Sequence, residues 1–176
     1  MKLKQLCESQ FPTSKEDVEE VLELYKIENY TINDDLTVDV DGDVVLVFKN
    51  LTMMPVKFGK VGDHFYCANN QLTSLVGSPK EVGGSFECYG NELTSLKGAP
   101  REVGGSFFSA NNQLTSLKGS PREVGGDFYC YNNQLTSLKG APREVGGDFD
   151  CVGNQLTSLD GIGNVDGEIY SDLKNQ

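Results

Sequence analysis

Histidine occurs once in 176 residues, as His64. A Ser-His-Asp or Cys-His catalytic arrangement would have to use it, and no such pairing is evident in the sequence. One histidine cannot build a zinc site without several cysteines. His64 falls in a strand-face position beside Asp63 and reads as an ordinary surface residue. Basic charge is also scarce, with 15 lysines and arginines against 26 acids and a net charge of -11. Residues 1–64 carry 13 acids and 7 bases, and residues 65–176 carry 13 and 8, so the acidity is no tail. A nucleic-acid binder would show a basic face, so none is expected as a partner. Solubility is the plain reading of the charge. Attraction of a basic partner surface, or mimicry of DNA, is the sharper one. Long apolar runs are missing too. Nothing approaches the ~20 residues of a membrane span. The start, MKLKQLCESQF, has Cys, Glu, Ser and Gln where a signal peptide needs an apolar stretch. Five cysteines, an odd number, then point to reduced thiols in a cytoplasm.

What the chain has instead is a 21-residue repeat. Leu72, Leu93, Leu114, Leu135 and Leu156 keep this spacing, as do Phe65, Phe86, Phe107, Phe128 and Phe149. Asn70 to Asn154 and Leu75 to Leu159 follow it, and Pro79, Pro100, Pro121 and Pro142 each stand three residues before a valine. The consensus is F-x-C-x-x-N-x-L-T-S-L-x-G-x-P-x-x-V-G-G-x. Its first half matches the leucine-rich-repeat core L-x-x-L-x-L-x-x-N-x-L. Alternation in F-x-C predicts one short strand per repeat, with Phe and Cys on one side. The Asn amide replaces ladder bonds lost at the bend. Gly-Pro and Gly-Gly mark corners. Phe, two Leu and Val per coil offer roughly 6–12 kcal/mol of gross burial energy, but only if coils stack. The expected fold is a leucine-rich-repeat solenoid, an α/β repeat with a short parallel sheet on its concave face. A parallel β-helix is the alternative.

The repeat decays at both ends. Upstream, Leu51, Met54 and Val61 keep the register, with Val44 and Leu46 in the strand positions. Downstream, VDGEIYS matches VGGDFDC one residue short, and Asp172 and Lys174 could blunt the last edge. Residues 1–43 read as an N-terminal helix/strand cap and 44–176 as the solenoid. Thr13-Ser14-Lys15-Glu16 resembles a capping box, and Val18, Val21, Leu22, Leu24 and Tyr25 give the following helix an apolar face. LTVDVDGDVVLVF reads as two alternating strands around Asp41-Gly42.

The segment NNQLTSL and the Pro-x-x-Val step resemble the short leucine-rich repeats of secreted bacterial effectors. The chain more closely resembles the leucine-rich-repeat proteins of tailed bacteriophages, built from LTSLKGAPREVGGDFYC units. Those also open with a helix and an LTVDVDGDV strand like residues 36–44. The resemblance implies a repeat fold along nearly the whole chain. It also implies a protein acting in the cytoplasm of a bacterial host, with a host protein, such as a defence component, as the target. The separate catalytic domain of ubiquitin-ligase effectors has no room here, so that activity is not carried over.

Other chemistry has plainer readings. Cys67, Cys88, Ser109, Cys130 and Cys151 share a face with Phe and read as small buried side chains rather than as metal ligands or disulfides. Asp39, Asp41 and Asp43 lack the calcium loop's closing Glu and read as an acidic turn. The Gly-Gly pairs lack the phosphate-loop Lys. Lys80-Glu81, Arg101-Glu102, Arg122-Glu123 and Arg143-Glu144 read as a solvated outer face. No cofactor, metal or enzymatic activity is expected.

The variable positions lie between the inward residues. The central strand position runs Tyr66, Glu87, Phe108, Tyr129, Asp150 and Tyr170. The next outward position includes Tyr89 and Tyr131, and the one before Phe runs His64, Ser85, Ser106, Asp127, Asp148. Five of the seven tyrosines fall in these rows. Aromatics rimmed by acids are expected to bind a protein partner. The candidate contact residues are Tyr66, Glu87, Tyr89, Phe108, Asp127, Tyr129, Tyr131, Asp148, Asp150 and Tyr170. Val45, Val47 and Phe48 either extend this face or pack under the helix. Two alternatives stand beside this reading. One is a structural or self-assembling role, with a monomer or weak self-association through the C-terminal edge. The other is capture of a nucleotide on the tyrosines.

Overall fold

The computed structural model describes residues 11–173; Cys7 and Lys174 lie outside them. One helix, α1 (Lys15–Tyr25), precedes β1 (Tyr30–Ile32), β2 (Thr37–Val40), β3 (Val44–Val45) and β4 (Lys57–Val61). Two-residue strands then alternate between two positions of each coil. The Phe position supplies β5 (Phe65–Tyr66), β7 (Phe86–Glu87), β9 (Phe107–Phe108), β11 (Phe128–Tyr129), β13 (Phe149–Asp150) and β15 (Ile169–Tyr170). The Val position supplies β6 (Glu81–Val82), β8 (Glu102–Val103), β10 (Glu123–Val124), β12 (Glu144–Val145) and β14 (Asn164–Val165).

These strands stack into two sheets, so the chain is a parallel-strand β-solenoid. The seven-stranded sheet runs β15-β13-β11-β9-β7-β5-β3 and the eight-stranded one β1-β2-β4-β6-β8-β10-β12-β14. Among the described residues only β1 and β2 pair antiparallel. The sequence predicts one strand per repeat, and the structure has two. The reason is the constant period. Once Phe86 stacks on Phe65, Val103 must stack on Val82, and its backbone meets a partner in register. Two residues are too few to show strand alternation in the sequence.

The core lies between the sheets. Phe65, Phe86, Phe107, Phe128 and Phe149 are fully buried and stack ring on ring, with centroids 5.3 Å apart for the first pair and 5.4 Å for the next. Each buried Phe contributes about 1.5–3 kcal/mol by leaving water, and each stacked pair about 0.5–1.5 kcal/mol more. The two Leu of each coil and its Val complete the layer.

The Asn row fastens coil to coil. Asn91 Nδ2 donates to the Cys67 and Cys88 carbonyls, both at 3.1 Å, and its Oδ1 accepts from Leu72 N–H at 3.0 Å. Asn112 and Asn133 repeat the pattern. A carboxylate would offer no donor to those carbonyls, which is why the amide is constant. Glycine is needed where coils touch at the corner. A Cβ on Gly104 would collide with the Gly83 carbonyl oxygen, and one on Gly125 with that of Gly104.

The N-terminal end differs from the sequence reading in three details. Ser14, not Thr13, caps α1, accepting from Asp17 N–H at 3.1 Å. Ser14 is extended, so the helix begins at Lys15 and the N3 position moves from Glu16 to Asp17. Val18, Val21 and Leu22 are buried, but Leu24 is 55% exposed because it lies beyond the edge of that buried stripe. The strands flanking Asp41-Gly42 do not pair with each other. β2 joins β4 and β3 joins β5, so Asp41-Gly42 is a corner between the sheets, like each later Gly-Gly. The downstream match holds one residue short, with Glu144 opposite Asn164 and Phe149 opposite Ile169.

Candidate functional site

Parallel in-register pairing turns the variable strand position into a row across the seven-stranded sheet. Val45, Tyr66, Glu87, Phe108, Tyr129, Asp150 and Tyr170 are successive Cα partners. Their neighbours at Phe and Cys point inward, so these side chains face out. Tyr66 to Asp150 are half-buried, while Val45 and Tyr170 are exposed. Strands ~4.8 Å apart let each side chain shade the next.

The aromatics gather at the middle of the row. Phe108 and Tyr129 stack with centroids 4.8 Å apart, and Tyr131 meets Tyr129 edge to face at 6.3 Å. Tyr66 stands apart, stacked on His64 at 5.5 Å. Glu87 separates it from Phe108, and Asp150 separates Tyr129 from Tyr170. Tyr89 and Tyr131 occupy the neighbouring row, where the alternating Ala68 and Ala110 are buried. All ten sequence-predicted contact residues therefore belong to one sheet face, but only Phe108, Tyr129 and Tyr131 form a joined aromatic cluster.

The row before Phe has a job in the fold. Asp43 Oδ1 accepts from His64 N–H at 2.9 Å, and His64 Nδ1 from Ser85 N–H at 2.9 Å. Ser85 Oγ accepts from Ser106 N–H, Ser106 Oγ from Asp127 N–H, and Asp127 Oδ1 from Asp148 N–H. Asp148 Oδ1 continues to Glu168 N–H. Each side chain thus caps the corner amide of the coil above. His64 is a half-buried link in this chain rather than an ordinary surface residue. Asp127 spends its second oxygen on the Tyr129 hydroxyl at 3.0 Å. The sequence signal was present: from Asp43 to Asp148 the position holds only Asp, Ser and His, all side chains able to accept.

Electrostatically the face is acidic. Burial, with help from Asp43 and Glu87, pushes the Tyr66 phenol up. Burial, the hydrogen bond to Asp127 and the nearby acids do the same at Tyr129. At Tyr170 the bond to Glu168 is the main cause. The Tyr129 and Tyr170 hydroxyls donate to Asp127 and Glu168. Burial also raises the Glu87 carboxyl, opposed by His64.

Toward the cap, Val45 and Phe48 do not pack under the helix; Phe48 is 73% exposed. It also has φ of 54°, in the left-handed region. The same position one coil further is Asn69, then Gly90, Asn111, Asn132 and Gly153, all with positive φ. Asn and Gly tolerate this conformation, whereas for Phe it costs about 1–2 kcal/mol.

Elsewhere the groups are quiet. Cys67, Cys88, Cys130 and Cys151 are buried free thiols, and burial raises all four, Cys151 to about 11. Thiols so shifted are poor nucleophiles and poor ligands. Among the described residues no group of three or more His, Cys, Asp or Glu side chains could hold a metal ion. Asp39 Oδ1 is taken by Lys60 N–H at 2.7 Å. A recess of about 850 Å³ runs along the eight-stranded sheet past Glu81, Glu102, Glu123 and Glu144. These glutamates are stacked in register, and Lys60 pairs with Glu81 at 2.6 Å. No helix among the described residues is long and apolar enough to cross a membrane.

Fold and face together define a repeat solenoid of parallel strands with one variable, aromatic and acidic sheet surface. No protein-family model matches the chain, and no curated protein or solved structure is similar enough to count as a relative.

Proposed function

We propose that this chain is a solenoid of the leucine-rich-repeat type that binds a protein partner through the exposed face of its seven-stranded sheet and catalyses no reaction. The observation that carries the reading is the row Tyr66-Glu87-Phe108-Tyr129-Asp150-Tyr170, which varies widely while the flanking Phe and Cys positions change only to Ile169, Ser109 and Ser171. Aromatic rings with polar tips, set among acids, supply large contact area and fixed hydrogen-bond donors. The partner surface is basic, with apolar pockets to take the rings. Following the bacteriophage resemblance, we assign the partner to the cytoplasm of a host bacterium and name inhibition of a defence protein as the role. Pull-down from bacterial lysate with the wild-type chain and with a Tyr89/Phe108/Tyr129/Tyr131→Ala variant tests the face. The wild type should retain a protein that the variant loses. Equal retention by both would falsify this assignment.

A further inference from the structure

The central row of the seven-stranded sheet places a carboxylate on each side of a two-ring stack. It reads Glu87, Phe108, Tyr129, Asp150 in register, all four half-buried. Phe108 and Tyr129 lie on neighbouring strands with ring centroids 4.8 Å apart and planes within 17° of parallel. That distance matches the strand spacing, so each ring shows one face to the other. The second face of Phe108 is turned toward Glu87 and that of Tyr129 toward Asp150. Tyr131 braces Tyr129 from the same strand, with its ring at 82°.

The chain does not neutralise these carboxylates. Glu87 accepts no hydrogen bond and forms no ion pair among the described residues. Asp150 Oδ1 accepts from Val152 N–H at 3.0 Å, and Oδ2 accepts nothing from the described residues. The three outward rows of this sheet contain no lysine or arginine. A cation placed above either carboxylate meets a negative oxygen and a ring face together. A planar guanidinium suits that pairing better than an ammonium, because it stacks on a ring while its edge donates to the acid.

Spacing decides what carries the cations. Glu87 and Asp150 are three strand steps apart, about 14 Å in all. An extended chain spans roughly 13–14 Å over four residues, and its residues i, i+2 and i+4 share one side. A helix offers about 10.5 Å at i, i+7 and about 16.5 Å at i, i+11, so it misses the match.

We propose that the variable face recognises an extended segment of its protein partner with arginine at i and i+4 and an apolar residue at i+2. The segment runs along the stack, across the strands. One guanidinium lies on Phe108 above Glu87, the other on Tyr129 above Asp150, and the apolar side chain covers the seam between the rings. This rests on the assignment of the face to protein binding and adds a partner pattern to it.

The test uses the full chain and two fluorescent peptides of about seven residues with the same composition. One reads serine-arginine-serine-leucine-serine-arginine-serine. The other has both arginines directly beside the leucine. The first should bind at least about tenfold more tightly. Glu87→Gln and Asp150→Asn keep side-chain shape and should each weaken it about tenfold. Phe108→Leu, apolar but without a ring face, should weaken it as well. Glu123→Gln, on the other sheet, should leave it unchanged. If Asp150→Asn fails to fold, Glu87→Gln carries the test. Equal affinity for the two peptides, or unchanged affinity in Glu87→Gln, overturns the proposal. So does spermine competing as well as the first peptide, because the occupant is then a polyamine. The face and the pattern fail separately. A lysate protein lost by the Tyr89/Phe108/Tyr129/Tyr131→Ala variant but kept by Glu87→Gln/Asp150→Asn removes only the pattern. A protein kept by both removes the face.

Discussion

The two sheets use the same backbone ladder and the same period, yet their outward residues behave differently. On the eight-stranded sheet the outward position is glutamate four times in register, at Glu81, Glu102, Glu123 and Glu144. On the seven-stranded sheet the equivalent row runs Tyr66, Glu87, Phe108, Tyr129, Asp150, Tyr170. Strand stacking alone therefore tolerates a fixed residue, even four like charges side by side. Variation on one sheet is not something the ladder demands. It marks the face on which side-chain identity is free to serve something else.

The comparison breaks most completely at what the sheets share. Phe107 lies between them, and Phe107→Ala should cost about 3–5 kcal/mol in denaturant unfolding, with both ladders weakened together. Asn112→Ala should cost about 1–3 kcal/mol, because it strands the Leu93 N–H in the core and takes one of two donors from each of three carbonyls. Thermal melts should show Asn112→Asp no better than Ala, since the carboxylate faces those carbonyls.

Smaller effects separate fold from recognition within the variable sheet. Asp127→Ala should cost about 1 kcal/mol by leaving the Asp148 amide without its acceptor, while Asp127→Ser should keep near-native stability, as Ser85 and Ser106 do in the same row. If both lower stability alike, the acceptor row is not what holds the corner. Phe48→Asn should raise stability by about 1 kcal/mol, since Asn69, Asn111 and Asn132 occupy the same left-handed position in other coils. A gain in stability with a loss of partner retention would identify Phe48 as part of the binding face.

The smallest effect is a pH slope. Burial raises the folded-state carboxyl of Glu87 above its ordinary value of 4.5. Folding then favours the protonated form, so the contribution is fully present below 4.5 and is lost as pH rises through the folded value. As pH rises from about 4, the melting temperature of the wild type should fall relative to that of Glu87→Gln.

Much of the fold was legible because repetition makes burial visible. Phe, Cys, Asn, two Leu and Val recur at one spacing, and each proved to be a core or coil-joining residue, including the one-residue shift at Ile169. Less legible were features that depend on two or three residues. The Glu-Val strands carry no alternation, and Asp41-Gly42 looks the same whether it turns a hairpin or a corner. Leu24 is apolar but lies on the wrong side of α1. Of the candidate site, membership of one face was legible. The division into an aromatic cluster, an isolated Tyr66 and an acceptor row was not, since it depends on which side chain reaches which backbone group.

The sequence by itself determined that coils of 21 residues must stack, because no single coil can bury its own Phe, Leu and Val. It also determined which residues face inward. Only the tertiary structure decided that stacking builds two sheets. It also decided that Asp127 and Asp148 are held by the backbone of the next coil. Those outcomes depend on hydrogen-bond partners 19 to 21 residues away, which become neighbours only once the coils lie one on another.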